Sequence, residues 1–331
     1  MLGRNLAFAR ELRLHFDYFG KRKGRQVMKD FTLRHFHSLE DALSAVIGKG
    51  TKVRAMDRIA GGDINDAFRL RLSSGDDIFM KSNKKENISF FEAEAEGLAA
   101  IARTGAVGTP ELLCMGCDEG RGGFSFLLMA FIDGRRGGAR RWETFGEELA
   151  TMHRAPTDSL VQNGKYGFYG DNYIGAGQQV NRPCNSWVSF FRDYRLEIQF
   201  RRAKRYFGAA ELREISYLLE HLDKFLVEPK QPSLIHGDLW SGNVIAGPDG
   251  KFWLIDPAAY VGHAEADIAM TELFGRFPGE FYAAYQNAGL LAPGYECRRD
   301  LYNLYHLLNH LNLFGSAYLP SVMRILKEYA K

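Results

Sequence analysis

Three side chains between Leu234 and Pro257 have types and spacing suited to chemistry: Asp238, Asn243 and Asp256. They lie in Leu234-Ile-His-Gly-Asp-Leu-Trp-Ser-Gly-Asn-Val244 and in Phe252-Trp-Leu-Ile-Asp256-Pro. Val244–Ala246 and Phe252–Ile255 are apolar, and the Gly247-Pro-Asp-Gly250 turn signal between them makes a hairpin. Pairing across that turn is expected to set Asn243 opposite Asp256, at the end away from the turn. Asp238 lies just upstream in a glycine-containing loop. An amide oxygen beside a carboxylate suits Mg²⁺ bound to substrate phosphates, because this hard cation takes oxygen ligands and keeps part of its shell for the substrate. The other acid is then available as a base for the proton of an attacking hydroxyl. A turn-rich hairpin with incidental acids is the structural alternative.

Catalytic Asp, then Asn, then metal-binding Asp is the order in which kinases carry these groups, at nearly this spacing. The chain resembles the fructosamine/ketosamine-3-kinase family. This family is a branch of the aminoglycoside-phosphotransferase and choline-kinase-like group, which shares the protein-kinase fold. His236-Gly-Asp with Asn243 five residues after the Asp marks the wider group. Leu239-Trp-Ser-Gly-Asn243, Asp256-Pro-Ala-Ala-Tyr-Val-Gly-His263 and Leu307-Leu-Asn-His-Leu-Asn-Leu-Phe-Gly315 point to the branch. The resemblance covers residues 35 to 330. It implies an α+β, bilobal protein-kinase-like fold: a small lobe with a five-stranded antiparallel sheet plus a helix, and a large, mainly helical lobe. The expected division is 1–34 as a basic extension, 35–132 as the nucleotide-binding lobe and 133–331 as the catalytic and acceptor-binding lobe. ATP and Mg²⁺ are the implied cofactors. The implied reaction is phosphorylation of a sugar hydroxyl on a ketoamine, a fructosamine or ribulosamine, free or on protein, as a deglycation repair. In it Asp238 orients and deprotonates the hydroxyl, while Asn243 and Asp256 hold Mg²⁺.

These groups need a scaffold, and the sequence upstream supplies one. Ser38–Gly48 has helical apolar spacing at Leu39, Leu43, Val46 and Ile47. Val53–Ile59, Ala67–Leu72 and Ile78–Lys81 read as a three-strand meander with turns at 60–66 and 73–76. Gly61 and Gly62 let the first turn approach phosphate oxygens closely, although Gly-Gly alone also makes an ordinary hairpin turn. Asp63 stands where many relatives of this branch have a cysteine associated with redox control, so such control is not expected here. Lys81 ends the third strand, where the kinase fold has its phosphate-contacting lysine. Ser89-Phe-Phe-Glu92 is a capping box opening the next helix. On that helix Glu94 falls on the apolar face with Phe91, Leu98 and Ile101, and an acid there needs a partner. Lys81 is the available one. Pro110–Cys117 and Ser125–Ile132 supply the last two strands. By resemblance, backbone groups of Ala130, Phe131 and Ile132 meet the adenine.

Beyond Asp133-Gly-Arg-Arg-Gly-Gly138, Trp142–Arg154 reads as a helix with Phe145, Leu149 and Met152 inward. The loop-rich stretch 164–187, with Asn172, Gln179 and Asn181, either lines the sugar pocket or is an ordinary structural loop. Trp240 and His310 are further acceptor-pocket candidates from resemblance, as are His263 and Asn309. Phe190–Tyr206 is a basic amphipathic helix whose Arg and Lys residues form a solvated face. Ser216–Phe225, His263–Phe274 and Leu301–Phe314 read as helices, the last with Leu301, Leu304, Leu308 and Leu311 in register. His236 braces the loop around Asp238 rather than reacting.

Composition excludes several other classes. The chain has 331 residues, 46% hydrophobic and 25% charged, enough to bury an ample core in one or two domains. Its longest apolar runs, such as Phe124–Phe131, are far short of a membrane span. No signal-peptide core is present, so a cytoplasmic location is expected, with no membrane partner. The net charge of +3 does not point to nucleic acid, because residues 1–35 carry nine Lys/Arg against three Asp/Glu and the remainder 34 against 37. Four cysteines make no disulfide framework, and Cys114 and Cys117 face opposite sides of a strand with no second pair to complete a zinc site. Oligomeric state is left open. Two alternatives stand beside the ketoamine reading: another small-molecule kinase for aminoglycosides, choline or a plain sugar, and a non-catalytic binding protein on a kinase fold.

Overall fold

Alternation of inward and outward side chains carries Val53–Ile59 (β2), Asp66–Leu72 (β3) and Asp77–Lys84 (β4) into an antiparallel meander. The computed structural model describes residues 34–60, 64–120, 122–134, 141–247 and 250–330. Gly61, Gly62 and Asp63 lie outside the described residues, as do 1–33 and most of the link after Asp133. Before the meander come β1 (His35–Phe36) and α1 (Leu39–Val46), which is capped by Ser38 Oγ accepting from the Asp41 amide. After it come α2 (Ile88–Arg103), β5 (Leu112–Asp118) and β6 (Phe124–Ala130). The sheet order is β1-β5-β6-β4-β3-β2.

The sheet therefore has six strands, not the five expected, and it is not wholly antiparallel, because β1 runs parallel to β5. A two-residue strand is too short to show alternation in sequence. Its docking depends on Gly116: a Cβ there would sit 2.1 Å from the Phe36 carbonyl oxygen. The glycine inside Cys114-Met-Gly-Cys117 thus admits an edge strand. The cysteines themselves have no shared role, since Cys114 is buried with its thiol pushed up to about 12 by burial, and Cys117 is partly exposed.

The helical part begins with α3 (Trp142–Arg154) and the hairpin β7 (Asn172–Ile174) and β8 (Gly177–Gln179). Next come α4 (Trp187–Phe191), a π-helical turn over Arg192–Leu196, α5 (Glu197–Arg202) and α6 (Ala209–Glu220). The expected uniform helix 190–206 is interrupted by this turn. The extra residue per turn swings Arg195 inward, so it is fully buried instead of lying on a solvated face. Strands β9 (Ser233–Ile235) and β12 (Tyr260–Gly262) pair with each other and enclose the hairpin β10 (Val244–Ala246) and β11 (Phe252–Leu254) in sequence. Then follow α7 (Ala264–Leu273), α8 (Gly279–Asn287), α9 (Tyr295–Phe314) and α10 (Leu319–Tyr329).

Two hydrophobic cores form among the described residues. The smaller joins α1 to the sheet through Leu43, Leu70, Ile78, Cys114 and Phe126. The larger gathers α3, α4, α7, α8 and α9 around Phe145, Trp187, Phe281, Tyr302 and Leu308. No helix among the described residues is long and apolar enough to cross a membrane.

Candidate active site

The loop between β9 and β10 is held from behind by a buried carboxylate. Asp267 of α7 accepts from two successive backbone amides, His236 N at 2.7 Å and Gly237 N at 2.9 Å. Burial works to raise the Asp267 carboxyl, but His153 and His236, through the His153 ring and the His236 amide, bring it below its ordinary value. Gly237 has φ +79°, and a Cβ there would lie 2.2 Å from the Ala258 carbonyl oxygen, so the His-Gly-Asp turn requires its glycine. His236 donates from Nε2 to the Ile255 carbonyl at 2.9 Å and accepts from the Asp238 amide at Nδ1, 3.3 Å away. Burial holds its ring neutral by lowering its pKa.

Asp238 emerges from this frame. Its Oδ2 accepts from Asn243 Nδ2 at 3.1 Å, and the same nitrogen donates to the Asp238 carbonyl at 2.8 Å. Burial pushes the Asp238 carboxyl up to about 7, against the Asn243 hydrogen bond and with help from the Asp256 and Asp267 charges. A carboxylate poised there suits a proton acceptor near neutrality.

The hairpin register differs by one residue from that expected. Val244 pairs with Leu254, and the Ile255 amide donates to the Asn243 carbonyl at 3.1 Å, so Ile255 rather than Asp256 lies opposite Asn243. The hairpin closes between Gly247 N and Lys251 O at 2.8 Å. Asp256 lies one step beyond, at φ +55°, a left-handed conformation that Asp tolerates better than most residues. That turn takes Asp256 out of the strand line and into ion pairing with Lys81.

Lys81 lies within β4 and does not end it, because the strand continues to Lys84. Its Nζ meets Glu94 Oε1 at 2.7 Å and also pairs with Asp256 Oδ1. Burial would lower the Lys81 pKa, but the Asp256 and Glu94 charges outweigh it and raise it, so the ammonium stays charged. Burial pushes the Glu94 carboxyl up, with Lys81 pulling the other way. Glu94 lies on the buried face of α2 with Phe91, Leu98 and Ile101. The helix start departs from the capping-box expectation. Asn87 occupies the N-cap without a side-chain capping bond, and Ser89 Oγ instead lies 3.0 Å from Tyr173 Oη.

The candidate catalytic and metal-binding side chains open on one cavity of about 1340 Å³. Lys81, Glu94, Asp238, Asn243 and Asp256 line it, together with Ala130, Phe131 and Ile132 where β6 ends. Trp240 and His310 line it as well, beside Phe274, which they approach at ring distances of 6.2 and 4.8 Å. Gln179 and Asn181, expected in the acceptor pocket, are each 2% exposed and do not line it. Asn172 reaches the cavity wall, but its amide is engaged: Nδ2 donates to Ala259 O at 2.8 Å, and Oδ1 accepts from Gln179 and Asn181, each at 2.8 Å. Gln179 also donates to Ala258 O and accepts from Tyr305 Oη at 2.7 Å. Asn181 accepts from Arg195 Nη2 at 2.7 Å. Buried amides must be satisfied, and these satisfy one another while gripping the backbone just after Asp256. Asp267, Arg195 and His306 escaped sequence reasoning. An acid amid Ala266, Ile268 and Ala269 carried the same signal that flagged Glu94.

The sequence profile of the fructosamine kinase family matches residues 35–331. The chain belongs to the fructosamine kinase family. It is 35% identical to a probable ketoamine kinase of Synechocystis sp., over 88% of this chain and 96% of that one. It is 38% identical to the chloroplastic protein-ribulosamine 3-kinase of Oryza sativa, over 86% of this chain and 81% of that one. A crystal structure of a candidate fructosamine-3-kinase from Haemophilus somnus superposes with a TM-score of 0.76 at 28% identity, covering 88% and 96% of the two chains. Membership of the fructosamine kinase family brings ATP use and a kinase-like fold of mixed α and β structure, and the family match opens at His35, the first residue of β1.

Proposed function

We infer that this chain is an ATP-dependent ketoamine kinase that phosphorylates a sugar hydroxyl of fructosamines or ribulosamines. One observation carries the reading. A carboxyl poised near neutrality, an amide and carboxylate beside it, and a buried charged lysine converge from separate elements on one cavity. The names of the relatives point to the same acceptor class. Residues 35–132 serve as the nucleotide-binding lobe, and 133–331 as the catalytic and acceptor-binding lobe.

In this reading Asp238 orients the acceptor hydroxyl and takes its proton. Lys81, steadied by Glu94, contacts the phosphates together with the Gly61-Gly62 turn, and Ala130–Ile132 receive the adenine. The residues also fit Mg²⁺. Donation by Asn243 Nδ2 to Asp238 fixes the amide and leaves its oxygen as the hard ligand, with the Asp256 carboxylate as the second. Two such ligands plus phosphate oxygens and water match the way Mg²⁺ is usually held. When bound, the cation supplies charge neutralisation on the phosphates. Trp240 and His310 form the acceptor end, while Asn172, Gln179 and Asn181 position the segment after Asp256.

An acceptor panel with coupled ADP detection tests this. Polar groups built for several sugar hydroxyls and an amine arm are left unpaired by a poorer acceptor. Fructosyl- or ribulosyl-lysine should exceed free fructose, ribose, choline and kanamycin by about 10² or more in kcat/KM. A lead for kanamycin or choline would sink the ketoamine assignment.

A further inference from the structure

One buried polar atom beside the proposed base has no hydrogen-bond partner among the described residues. His306, on the inward face of α9, is 4% exposed, and its Nδ1 makes no hydrogen bond among the described residues. That nitrogen lies 3.9 Å from Asp238 Oδ1. The other carboxylate oxygen, Oδ2, is already held by Asn243 at 3.1 Å. The carboxylate is therefore flanked by two nitrogens, one in contact and one just beyond hydrogen-bond range. An unpaired buried imidazole nitrogen costs stability, so its retention at this point calls for a reason. The nearby charged groups are Asp238, Asp267 and Arg195, with the His310 ring also adjacent. Burial, with His310 and Arg195 in support, drives the His306 pKa down to about 3, so the ring is neutral and offers a single N–H.

Resting on the kinase reading above, we propose that His306 is a positioning residue. In the tautomer with hydrogen on Nδ1, it donates to Asp238 Oδ1 when the acceptor is bound. It thereby clamps the carboxylate from the side opposite Asn243. Catalytic hydrogen bonds are often long in an empty site and tighten in the reactive complex, and a small rotation of the Asp238 side chain closes this gap. Two clamped oxygens fix the plane of the carboxylate, so its remaining lone pair faces the acceptor hydroxyl. His306 does not line the cavity and touches no substrate; its effect passes through Asp238.

Two conservative variants separate this role from a structural one. The amide nitrogen of His306→Asn falls where Nδ1 is, whereas that of His306→Gln falls where Nε2 is. Both are polar and close in size, so folding demands are similar, and thermal midpoints are measured for each. In the Gln variant kcat should fall by about 10- to 100-fold, the scale of a misplaced reacting group, with KM for ATP within about twofold. The Asn variant should keep at least about a third of wild-type kcat. Equal kcat in the two variants, high or low, overturns the proposal, as does a change confined to KM. The variants are ranked on whichever acceptor the wild type uses best. A non-ketoamine acceptor would therefore sink the substrate reading while leaving this test intact, and no phosphoryl transfer to any acceptor would overturn both.

Discussion

Two polar clusters lie close to each other in the fold, and they do opposite things. In the loop Asp238–Asn243 and at Asp256, polar atoms face the cavity with hydrogen-bonding capacity left over, and the Asp238 carboxyl is pushed up to about 7. In the cluster of Asn172, Gln179, Asn181, Arg195 and Tyr305, each amide is taken up by a neighbour or a backbone carbonyl. Both regions are polar, but the Asp238 and Asp256 side chains keep 23% and 37% exposure, whereas Gln179, Asn181 and Arg195 are almost wholly buried. What separates a site from a brace is whether its donors and acceptors remain available.

The contrast is tested most strongly at Asp238. Asp238→Asn keeps the shape of the side chain but removes the proton acceptor. Turnover should fall by about 10² or more, with ADP affinity nearly unchanged. A variant keeping above a tenth of wild-type activity would place the base elsewhere. On the brace side, Gln179→Leu strands Tyr305 Oη and the Ala258 carbonyl. That should cost roughly 2–3 kcal/mol, read as a thermal midpoint several degrees lower. KM for the ketoamine should stay within about threefold. A stable Gln179→Leu protein with a large KM increase would return Gln179 to the acceptor pocket and dissolve the contrast.

Much of this is legible in the sequence. The order Asp238, Asn243, Asp256 and the pairing logic for Glu94 come from residue type and period, and the latter survives in the geometry of Lys81 with Glu94 at 2.7 Å. What escaped depended on a single residue of register. The hairpin sets Ile255 opposite Asn243, which leaves Asp256 one step beyond it. A π-turn carries Arg195 from the outer face to the core. Strand β1 is two residues long and docks only because Gly116 lacks a Cβ. Hydrophobic period averages over several residues and cannot resolve such one-residue shifts. The amides of 172–181 are visible as polar residues in a loop, but whether their hydrogen bonds point inward depends on tertiary contacts with Ala258, Ala259 and Tyr305.

A milder probe is pH. With its carboxyl raised to about 7, Asp238 carries a proton below that value and cannot accept another. kcat/KM should therefore fall as pH drops below about 7, approaching tenfold per unit. Initial rates between about pH 5.5 and 8.5 check this, and a flat profile across that range would show that the charge on Asp238 does not limit the reaction.

The smallest expected effect discriminates best, because its sign differs between the clusters. A carboxyl whose folded pKa exceeds its unfolded one favours the folded state only while protonated. That advantage is complete below the unfolded value of 3.8 and is lost as pH rises towards about 7. Wild-type protein at about pH 8 thus bears a buried charge that the neutral amide of the Asp238→Asn variant avoids. The Asp238 side chain is 23% exposed, so solvent screens part of the cost. The variant should gain roughly 1–3 kcal/mol at about pH 8 in nucleotide- and metal-free buffer, and less at about pH 5. Gln179→Leu should lose stability at both pH values alike, since no proton is involved. Denaturant titrations at the two pH values read both. If Asp238→Asn were the less stable protein at the higher pH, the carboxylate would be a structural contributor, and the distinction between an open site and a closed brace would fail at its centre.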